Sequence, residues 1–200
     1  MSEPITPVSD PLKGPLVRYL DLARDAVRWK LEGVSDTDLR RPLTPTGSNL
    51  LGIYKHLAIV EAGYLGVTFA RPFPEALAGY ADDDPVNIDM YATAQESTAD
   101  IIGLAERVRA HGDATLAALT LDATGTVPWW PQERNTVTVG QILIHLIAEW
   151  NRHAGHVDIL REQLDGAVGL RDGMSNLPPD DEIDWPAYVA QLQAIADQHR

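Results

Sequence analysis

Cysteine is absent from the 200 residues of this chain. Its absence excludes disulfide bonds, thiolate metal sites and a cysteine nucleophile. Any thiol chemistry that the protein carries out must therefore use a thiol supplied from outside the chain.

Positive charge is also scarce. Sixteen Lys and Arg residues face 29 Asp and Glu residues, so the formal net charge is −13 at pH 7. Binding to nucleic acid requires a basic face that neutralises phosphates, and binding to anionic lipid requires the same sign of charge. The composition therefore predicts no nucleic-acid partner and no membrane partner.

Long uncharged apolar runs are missing as well. The two most apolar stretches are interrupted by Lys55, His56 and Glu61, and by His145 and Glu149. Neither reaches the ~18 apolar residues that a membrane-spanning helix needs. The first residues also lack the basic and apolar regions of a signal peptide. We therefore expect a soluble, cytoplasmic protein.

Apolar residues recur at three- and four-residue spacing along most of the chain, which is typical of amphipathic helices. Proline and glycine separate these segments, and no run alternates in the manner of a strand. The predicted helices cover about 11–32, 49–69, 90–119 and 137–166, with a short fifth helix from Trp185 to about Gln198. This pattern predicts an all-α four-helix bundle. We expect one domain over 1–200, with the bundle at about 11–166 and a C-terminal extension at 167–200.

The fourth predicted helix carries Glu149 and His153, four residues apart and therefore on the same helix face. At ~100° per residue, and with His145 at zero, His156 falls at about 20°, Glu149 at 40° and His153 at 80°. Glu149 and His153 thus lie within the apolar stripe of the helix. An ionised carboxylate loses its hydration there, which is unfavourable unless a metal or a basic neighbour compensates.

The second predicted helix carries His56 beside its apolar stripe, facing the interior of the bundle. A carboxylate and an imidazole on one helix, joined by an imidazole from another, can bind a divalent metal and leave one coordination position open. Two ordinary interpretations compete with this one. His56 can be a hydrogen-bonded boundary residue, and Glu149 with His153 can be a simple acid–imidazole pair.

Two further histidines share the same face of the fourth helix. His145 has the same four-residue spacing to Glu149, and His156 lies three residues after His153. The pattern alone leaves the choice of ligands open. Histidines that do not bind the metal are candidates for orienting the ligands or for facing the substrate. His111 and His199 are expected at the surface.

Several motifs resemble the DinB/YfiT-like superfamily, within a branch of unknown function. They span most of the chain, at 43–57, 61–64, 71–74, 127–131 and 153–156. The resemblance implies a DinB-like bundle of up-down-down-up type, often dimeric. It also implies one divalent metal held by His56, Glu149 and His153. Glu149 stands where the superfamily usually has a histidine, although the similar mycothiol-dependent maleylpyruvate isomerase branch uses a His-Glu-His set.

The same resemblance implies an activity. Superfamily members with known activity are mostly thiol-dependent transferases or isomerases that use mycothiol, bacillithiol or glutathione. We therefore expect a metal-dependent S-transferase that joins a small-molecule thiol, of the mycothiol type, to a small electrophile. Zinc is the expected metal, with nickel or manganese as alternatives, and a homodimer is the expected assembly.

Further residues take roles in this hypothesis. His145 and His156 are the candidate catalytic residues, and Tyr64, Arg134 and Arg152 are the candidates for hydrogen bonding to the thiol. The adjacent Trp129 and Trp130 either wall the pocket or pack over the end of the bundle. Two other functions compete: a metal-dependent hydrolase or isomerase with His145 or His156 as general base, and a non-catalytic metal-binding stress-response protein.

Overall fold

The structure, a computed structural model, describes residues 10–81, 83–179 and 181–199. Helices dominate these residues. The α-helices are α1 (Lys13–Trp29), α2 (Asp36–Arg40), α3 (Leu50–Leu65), α4 (Thr98–Ala118), α5 (Val139–Asp165) and α6 (Trp185–Asp197). Single turns of 3-10 helix cover Val67–Phe69, Ile88–Met90 and Gln132–Arg134, and two short strands are β1 (Thr124–Thr126) and β2 (Thr136–Thr138).

The bundle consists of α1, α3, α4 and α5, and contacts between helix ends give their directions. Lys13 at the start of α1 donates a hydrogen bond to the carbonyl oxygen of Leu119 after α4, so these two helices are antiparallel. Lys30 follows the end of α1 and pairs with Asp158 late in α5 at 3.1 Å, so α1 and α5 are parallel.

The other two directions follow in the same way. His56 early in α3 contacts His153 late in α5, whereas Tyr64 at the end of α3 contacts His145 early in α5. These helices are therefore antiparallel. Because α4 and α3 both run against α1 and α5, the bundle is of the up-down-down-up type. The predicted all-α DinB-like bundle is confirmed.

Helix α3 forms the centre of the bundle and packs against both α4 and α5. All of its residues are buried except His56 and Val60, which are partly exposed. The segment Leu50–Phe69 is long and apolar enough to cross a membrane, but 83% of it is buried inside the protein, as in a core helix. Burial of such side chains stabilises the fold by about 1.5–3 kcal/mol each.

A buried ion pair crosses this core. Arg24 of α1 donates two hydrogen bonds to the carboxylate of Glu61 on α3, at 2.9 and 2.6 Å. Only 2% and 1% of these side chains are exposed. Arg24 also contacts Asp113 of α4 at 2.8 Å, so one guanidinium joins three helices. Two bidentate charged groups satisfy each other here, which makes the burial of both tolerable.

The predicted helix bounds hold within a few residues, with one large exception. The third helix was expected from residue 90 but α4 begins at Thr98. Ser97 and Asp100 form a capping box, in which each side chain accepts a hydrogen bond from the backbone N–H of the other. This box ends the preceding loop, because it satisfies the first free N–H groups of the helix. Residues 91–97 are therefore loop.

The structure adds one small hairpin that the sequence pattern did not reveal. Strands β1 and β2 pair as an antiparallel hairpin in the register Thr124–Thr138, Gly125–Val137 and Thr126–Thr136. Each strand has only three residues, which is too short for the alternation of side chains to be recognised. The hairpin leads directly into α5, whose first turn is capped by the side chain of Thr138.

Candidate functional site

Three side chains converge between α3 and α5. The Nε2 atom of His56 lies 3.5 Å from Oε1 of Glu149, and Nε2 of His153 lies 3.2 Å from the same oxygen. One nitrogen or oxygen atom from each residue lies within 4.8 Å of the other two. These three residues, here called the triad, are the ones that the sequence predicted to share a metal.

The helices bring the triad together in a simple way. Glu149 and His153 lie one turn apart on α5, so they present their side chains to the same neighbour. That neighbour is α3, which runs antiparallel to α5 and places His56 opposite them. The rings of His56 and His153 lie 5.2 Å apart at 61°.

The triad fits a divalent cation. Around a tetrahedral metal with bonds of about 2.1 Å, neighbouring donor atoms lie about 3.4 Å apart. The two distances to the Glu149 oxygen, 3.5 and 3.2 Å, match that edge length. The donor set of two imidazoles and one carboxylate is one that zinc accepts. It has three members, so a fourth position remains for water or a substrate atom.

The triad is partly open to solvent. The side chains of His56, Glu149 and His153 are 19%, 25% and 12% exposed. The triad is therefore not sealed inside the core of the bundle.

Burial lowers the pKa of His153 below its ordinary value, and this effect exceeds the opposing attraction of Glu149. The neighbouring imidazoles of His56 and His156 add to the lowering, because they disfavour another positive charge. His153 is therefore held in its neutral form at neutral pH, and neutral imidazole is the form that binds a metal.

Both imidazoles of the triad have a second partner on the far side of the ring. Nδ1 of His56 shares a hydrogen bond with Oδ2 of Asp89 at 2.7 Å. Nδ1 of His153 lies 3.4 Å from Nδ1 of His156. With Nδ1 engaged on each ring, both Nε2 atoms are directed at Glu149. Such outer partners fix the tautomer and orientation of metal-binding histidines in general.

His145 lies elsewhere. It is one turn before Glu149, about 6 Å along the helix axis, and it is not among the residues that can hold the metal. Its ring contacts those of Tyr64 and Trp130, with centroids at 4.6 and 5.4 Å. Of the ligand pairs that the sequence left open, Glu149 with His153 and His153 with His156 are both in contact, but only Glu149 and His153 belong to the group that can hold a metal.

An aromatic cluster, made of Tyr64, Trp129, Trp130 and His145, adjoins the triad along the seam between α3 and α5. The indole N–H groups of Trp129 and Trp130 both donate to the hydroxyl oxygen of Tyr64, at 3.4 and 3.0 Å. The two tryptophans belong to the loop of the β-hairpin, and 47% of Trp129 is exposed. They thus cover the end of the seam and also present an aromatic surface to solvent.

Gly63 permits this arrangement. A Cβ atom at Gly63 would lie 2.2 Å from the hydroxyl oxygen of Tyr80 and 3.0 Å from the ring of Trp129. A larger residue there would displace the ends of the Tyr80 and Trp129 side chains from α3.

The two predicted arginines have different surroundings. The guanidinium of Arg134 lies 6.0 Å from the ring centre of Trp130, within range of a cation–π contact. Arg152 is exposed on α5, between Glu149 and His156 in sequence. Neither belongs to the triad, so their predicted contact with a thiol stays a prediction.

The two outlying histidines differ from each other. His199 is exposed, as expected. His111 is not a surface residue: it is half-buried against Phe73, with ring centroids 5.5 Å apart. The prediction for His111 was wrong because α4 is covered there by the segment after α3.

Sequence reasoning missed Asp89. It lies in a loop far from the predicted ligands, and no spacing rule connects a loop residue to a helix. One signal was present in Lys55, a lysine inside an otherwise apolar helix. Only 1% of its side chain is exposed, and its Nζ donates to two carbonyl groups of the loop that holds Asp89.

Comparison with known proteins agrees with this geometry. The family model described as mycothiol S-transferase matches residues 15–166, which include the triad and all of the bundle except the first two residues of α1. No curated protein matches the chain. The match covers well over half of the sequence, and the chain therefore belongs to the mycothiol S-transferase family.

Proposed function

We propose that the protein is a divalent-metal-dependent S-transferase that joins a low-molecular-weight thiol, mycothiol or a close relative, to a small electrophile. The observation that carries the proposal is the convergence of His56, Glu149 and His153, whose ligand atoms lie within 4.8 Å of one another and whose side chains are partly exposed. Family membership supports it. The absence of cysteine is consistent with it, because the nucleophilic sulfur then comes from the co-substrate.

Zinc is the metal that we propose, with nickel or manganese as alternatives. Two imidazoles and a carboxylate form a donor set typical of catalytic zinc sites. A cation held by His56, Glu149 and His153 would supply the positive charge that favours the thiolate over the thiol at neutral pH. The chain would contribute these three side chains as its ligands.

The reaction also requires removal of the proton of the thiol. When the sulfur–carbon bond forms, the proton of the thiol leaves and the electrophile releases a leaving group or takes up a proton. His156 is exposed and lies beside His153, so we propose that it exchanges this proton with solvent. We propose His145 as the second catalytic residue. It lies on the other side of Glu149 from His156 along α5, where its ring contacts Tyr64 and Trp130.

Polar groups of the thiol need partners as well. A thiol that carries a sugar presents hydroxyl and carbonyl oxygens, which accept or share hydrogen bonds. We propose Arg152 and Arg134 as donors to these oxygens and Tyr64 as a further contact. The exposed face of Trp129 offers an apolar surface for the electrophile.

A direct assay tests this function. Zinc-loaded protein is incubated with mycothiol and a fluorogenic electrophile, and the rate is compared with that of His153→Ala and of the matched surface variant His199→Ala. We expect catalysis by the wild type and by His199→Ala, and none by His153→Ala. No rate above the uncatalysed reaction with mycothiol, bacillithiol or glutathione would contradict the proposal. Turnover of an ester or amide without any thiol would instead identify a hydrolase.

A further inference from the structure

Asp89 and the loop that carries it have no role in the function proposed above, yet they contact the triad. The imidazole of His56 can present either ring nitrogen to a metal, and its orientation needs a constraint. Asp89 supplies one, since its Oδ2 lies 2.7 Å from Nδ1 of His56 while Nε2 faces Glu149. Asp89 is itself only 26% exposed.

A loop residue orients a side chain only if the loop is fixed. Asp89 lies in a single turn of 3-10 helix, Ile88–Met90, which has a longer loop on either side. The buried Lys55 holds this turn on both sides of Asp89, because its Nζ donates to the carbonyl oxygens of Ile88 and Tyr91 at 3.0 Å each. Lys55 directly precedes His56 on α3, so the anchor and the oriented ring share one helix.

The charge of Lys55 is balanced within the same loop. Its Nζ contacts the carboxylate of Glu96 at 2.8 and 2.9 Å. A buried ammonium is strongly unfavourable unless it is paired and hydrogen-bonded. Here all three donors of the ammonium group have oxygen partners. A lysine in this position is thus suited to clamping a loop.

Glycine completes the clamp. A Cβ atom at Gly52 would lie 1.9 Å from the carbonyl oxygen of Met90, so only glycine allows the turn to lie this close to α3. The side-chain amide of Asn49 approaches the same oxygen at 3.4 Å. Three residues of α3 or its cap, Asn49, Gly52 and Lys55, therefore hold the turn from Ile88 to Tyr91.

We propose that Asp89 is a positioning residue for the metal centre: it keeps the proton of His56 on Nδ1 so that Nε2 is free to bind the metal, and Lys55 acts through it by fixing the loop. The expected effect of Asp89 on metal affinity rests on the proposed function. The position of the His56 proton concerns the metal-free protein and is tested separately.

The first test is ¹⁵N NMR of the histidine rings in metal-free protein, at a pH where the imidazoles are neutral. In the wild type and in the control Asp122→Ala, which removes an exposed carboxylate, we expect the proton of His56 on Nδ1. In Asp89→Ala we expect it to move to Nε2 in a substantial fraction of molecules. A proton on Nε2 in the wild type, or an unchanged tautomer in Asp89→Ala, would overturn the proposal.

The second test is zinc affinity, measured by competition with a chromophoric chelator. Loss of an outer partner of a metal-binding histidine lowers metal affinity by about 10–100-fold. We expect a loss of that size in Asp89→Ala and none in Asp122→Ala. Asp89→Asn keeps an oxygen acceptor at the same place, so we expect a smaller loss. Equal affinity in all four proteins would overturn the role of Asp89.

The role of Lys55 is tested by a double-mutant cycle. Lys55→Met is expected to lower zinc affinity in the wild type but to have little further effect in Asp89→Ala, because the clamp acts only through Asp89. The same fold loss in both backgrounds would show that Lys55 acts independently and would overturn that part of the proposal. If the wild type shows the Nδ1 proton but binds no zinc, the proposed function fails and the orienting role of Asp89 stands.

Discussion

The Nε2 atom of His56 lies 3.5 Å from Oε1 of Glu149, although the two residues belong to different helices that are far apart in the sequence. This approach joins α3 to α5 at a point where the interior of the bundle meets solvent. Because Glu149 also contacts His153 on its own helix, the carboxylate is shared between two imidazoles. A divalent cation is the ligand that would use all three groups at once.

Replacing His153 by Ala is expected to abolish tight zinc binding while the bundle survives. The loss should exceed the ~10–100-fold that follows removal of an outer partner, because a direct ligand is lost. Isothermal titration measures the affinity, and circular dichroism checks the helices. His199→Ala serves as the control and should bind zinc as the wild type does. Unchanged affinity in His153→Ala would remove this residue from the centre.

Glu149→Ala and His145→Ala should separate the two residues that compete for the ligand role. Glu149→Ala is expected to lose zinc affinity strongly, whereas His145→Ala should retain it, because His145 packs against Tyr64 and Trp130 instead of facing the triad. His145→Ala should lower the free energy of unfolding by about 1 kcal/mol through the lost aromatic contacts. Loss of zinc in His145→Ala, with affinity kept in Glu149→Ala, would reverse the assignment.

Tyr64→Phe is expected to loosen the tryptophan loop. The hydroxyl oxygen of Tyr64 accepts hydrogen bonds from the indoles of both Trp129 and Trp130, so its removal leaves two donors without this partner. We expect the free energy of unfolding to fall by about 1–3 kcal/mol, and tryptophan fluorescence to change. Urea titration measures the free energy of unfolding, and emission spectra record the tryptophan fluorescence. Tyr19→Phe, at an exposed position, is the control and should change neither.

Arg24→Met should destabilise the bundle by about 3–5 kcal/mol, because it leaves the buried carboxylate of Glu61 without its partner. The double variant Arg24→Met with Glu61→Leu should recover most of that loss, since no charge then remains unpaired in the core. Urea unfolding measures both. The exposed pair of Arg107 and Glu75 provides the contrast, and Arg107→Met should have a much smaller effect. A double variant as unstable as Arg24→Met would contradict this account.

The contribution of Glu96 to stability should depend on pH. Burial opposes ionisation of Glu96, but its hydrogen bonds with Lys55 and Thr93 outweigh burial and lower its pKa below the ordinary value of 4.5. A carboxyl whose pKa is lowered by folding contributes stability above its unfolded pKa, and loses it as the pH falls through the folded pKa. The difference in unfolding free energy between wild type and Glu96→Gln should therefore be largest at neutral pH and shrink below pH 4.5. A difference that grows in acid would contradict the direction of the shift.

The bundle could be predicted from the sequence because apolar residues recur at helical spacing in every long helix. Helix α5 and its ligands followed from the same rule, since Glu149 and His153 are one turn apart. Periodicity also placed His56 facing the interior of the bundle, and the family resemblance assigned it to the same metal as Glu149 and His153. Its contact with α5 depends on tertiary packing. The predicted homodimer and cytoplasmic location stay predictions.

Other features depend on contacts that no local pattern contains. Asp89 reaches His56 only because Lys55 and Gly52 hold its loop against α3. The start of α4 was misplaced because the apolar residues before Thr98 pack as loop. The hairpin of β1 and β2 was missed because three-residue strands carry too little alternation to be seen.

The proposed activity requires a cation held by His56, Glu149 and His153. Anomalous diffraction at the zinc edge, from crystals of zinc-loaded protein, measures this without reference to activity. One strong peak within bonding distance of Nε2 of His56, an oxygen of Glu149 and Nε2 of His153 is the predicted result. A zinc-saturated crystal with no peak between α3 and α5, or with the peak on other residues, would contradict it.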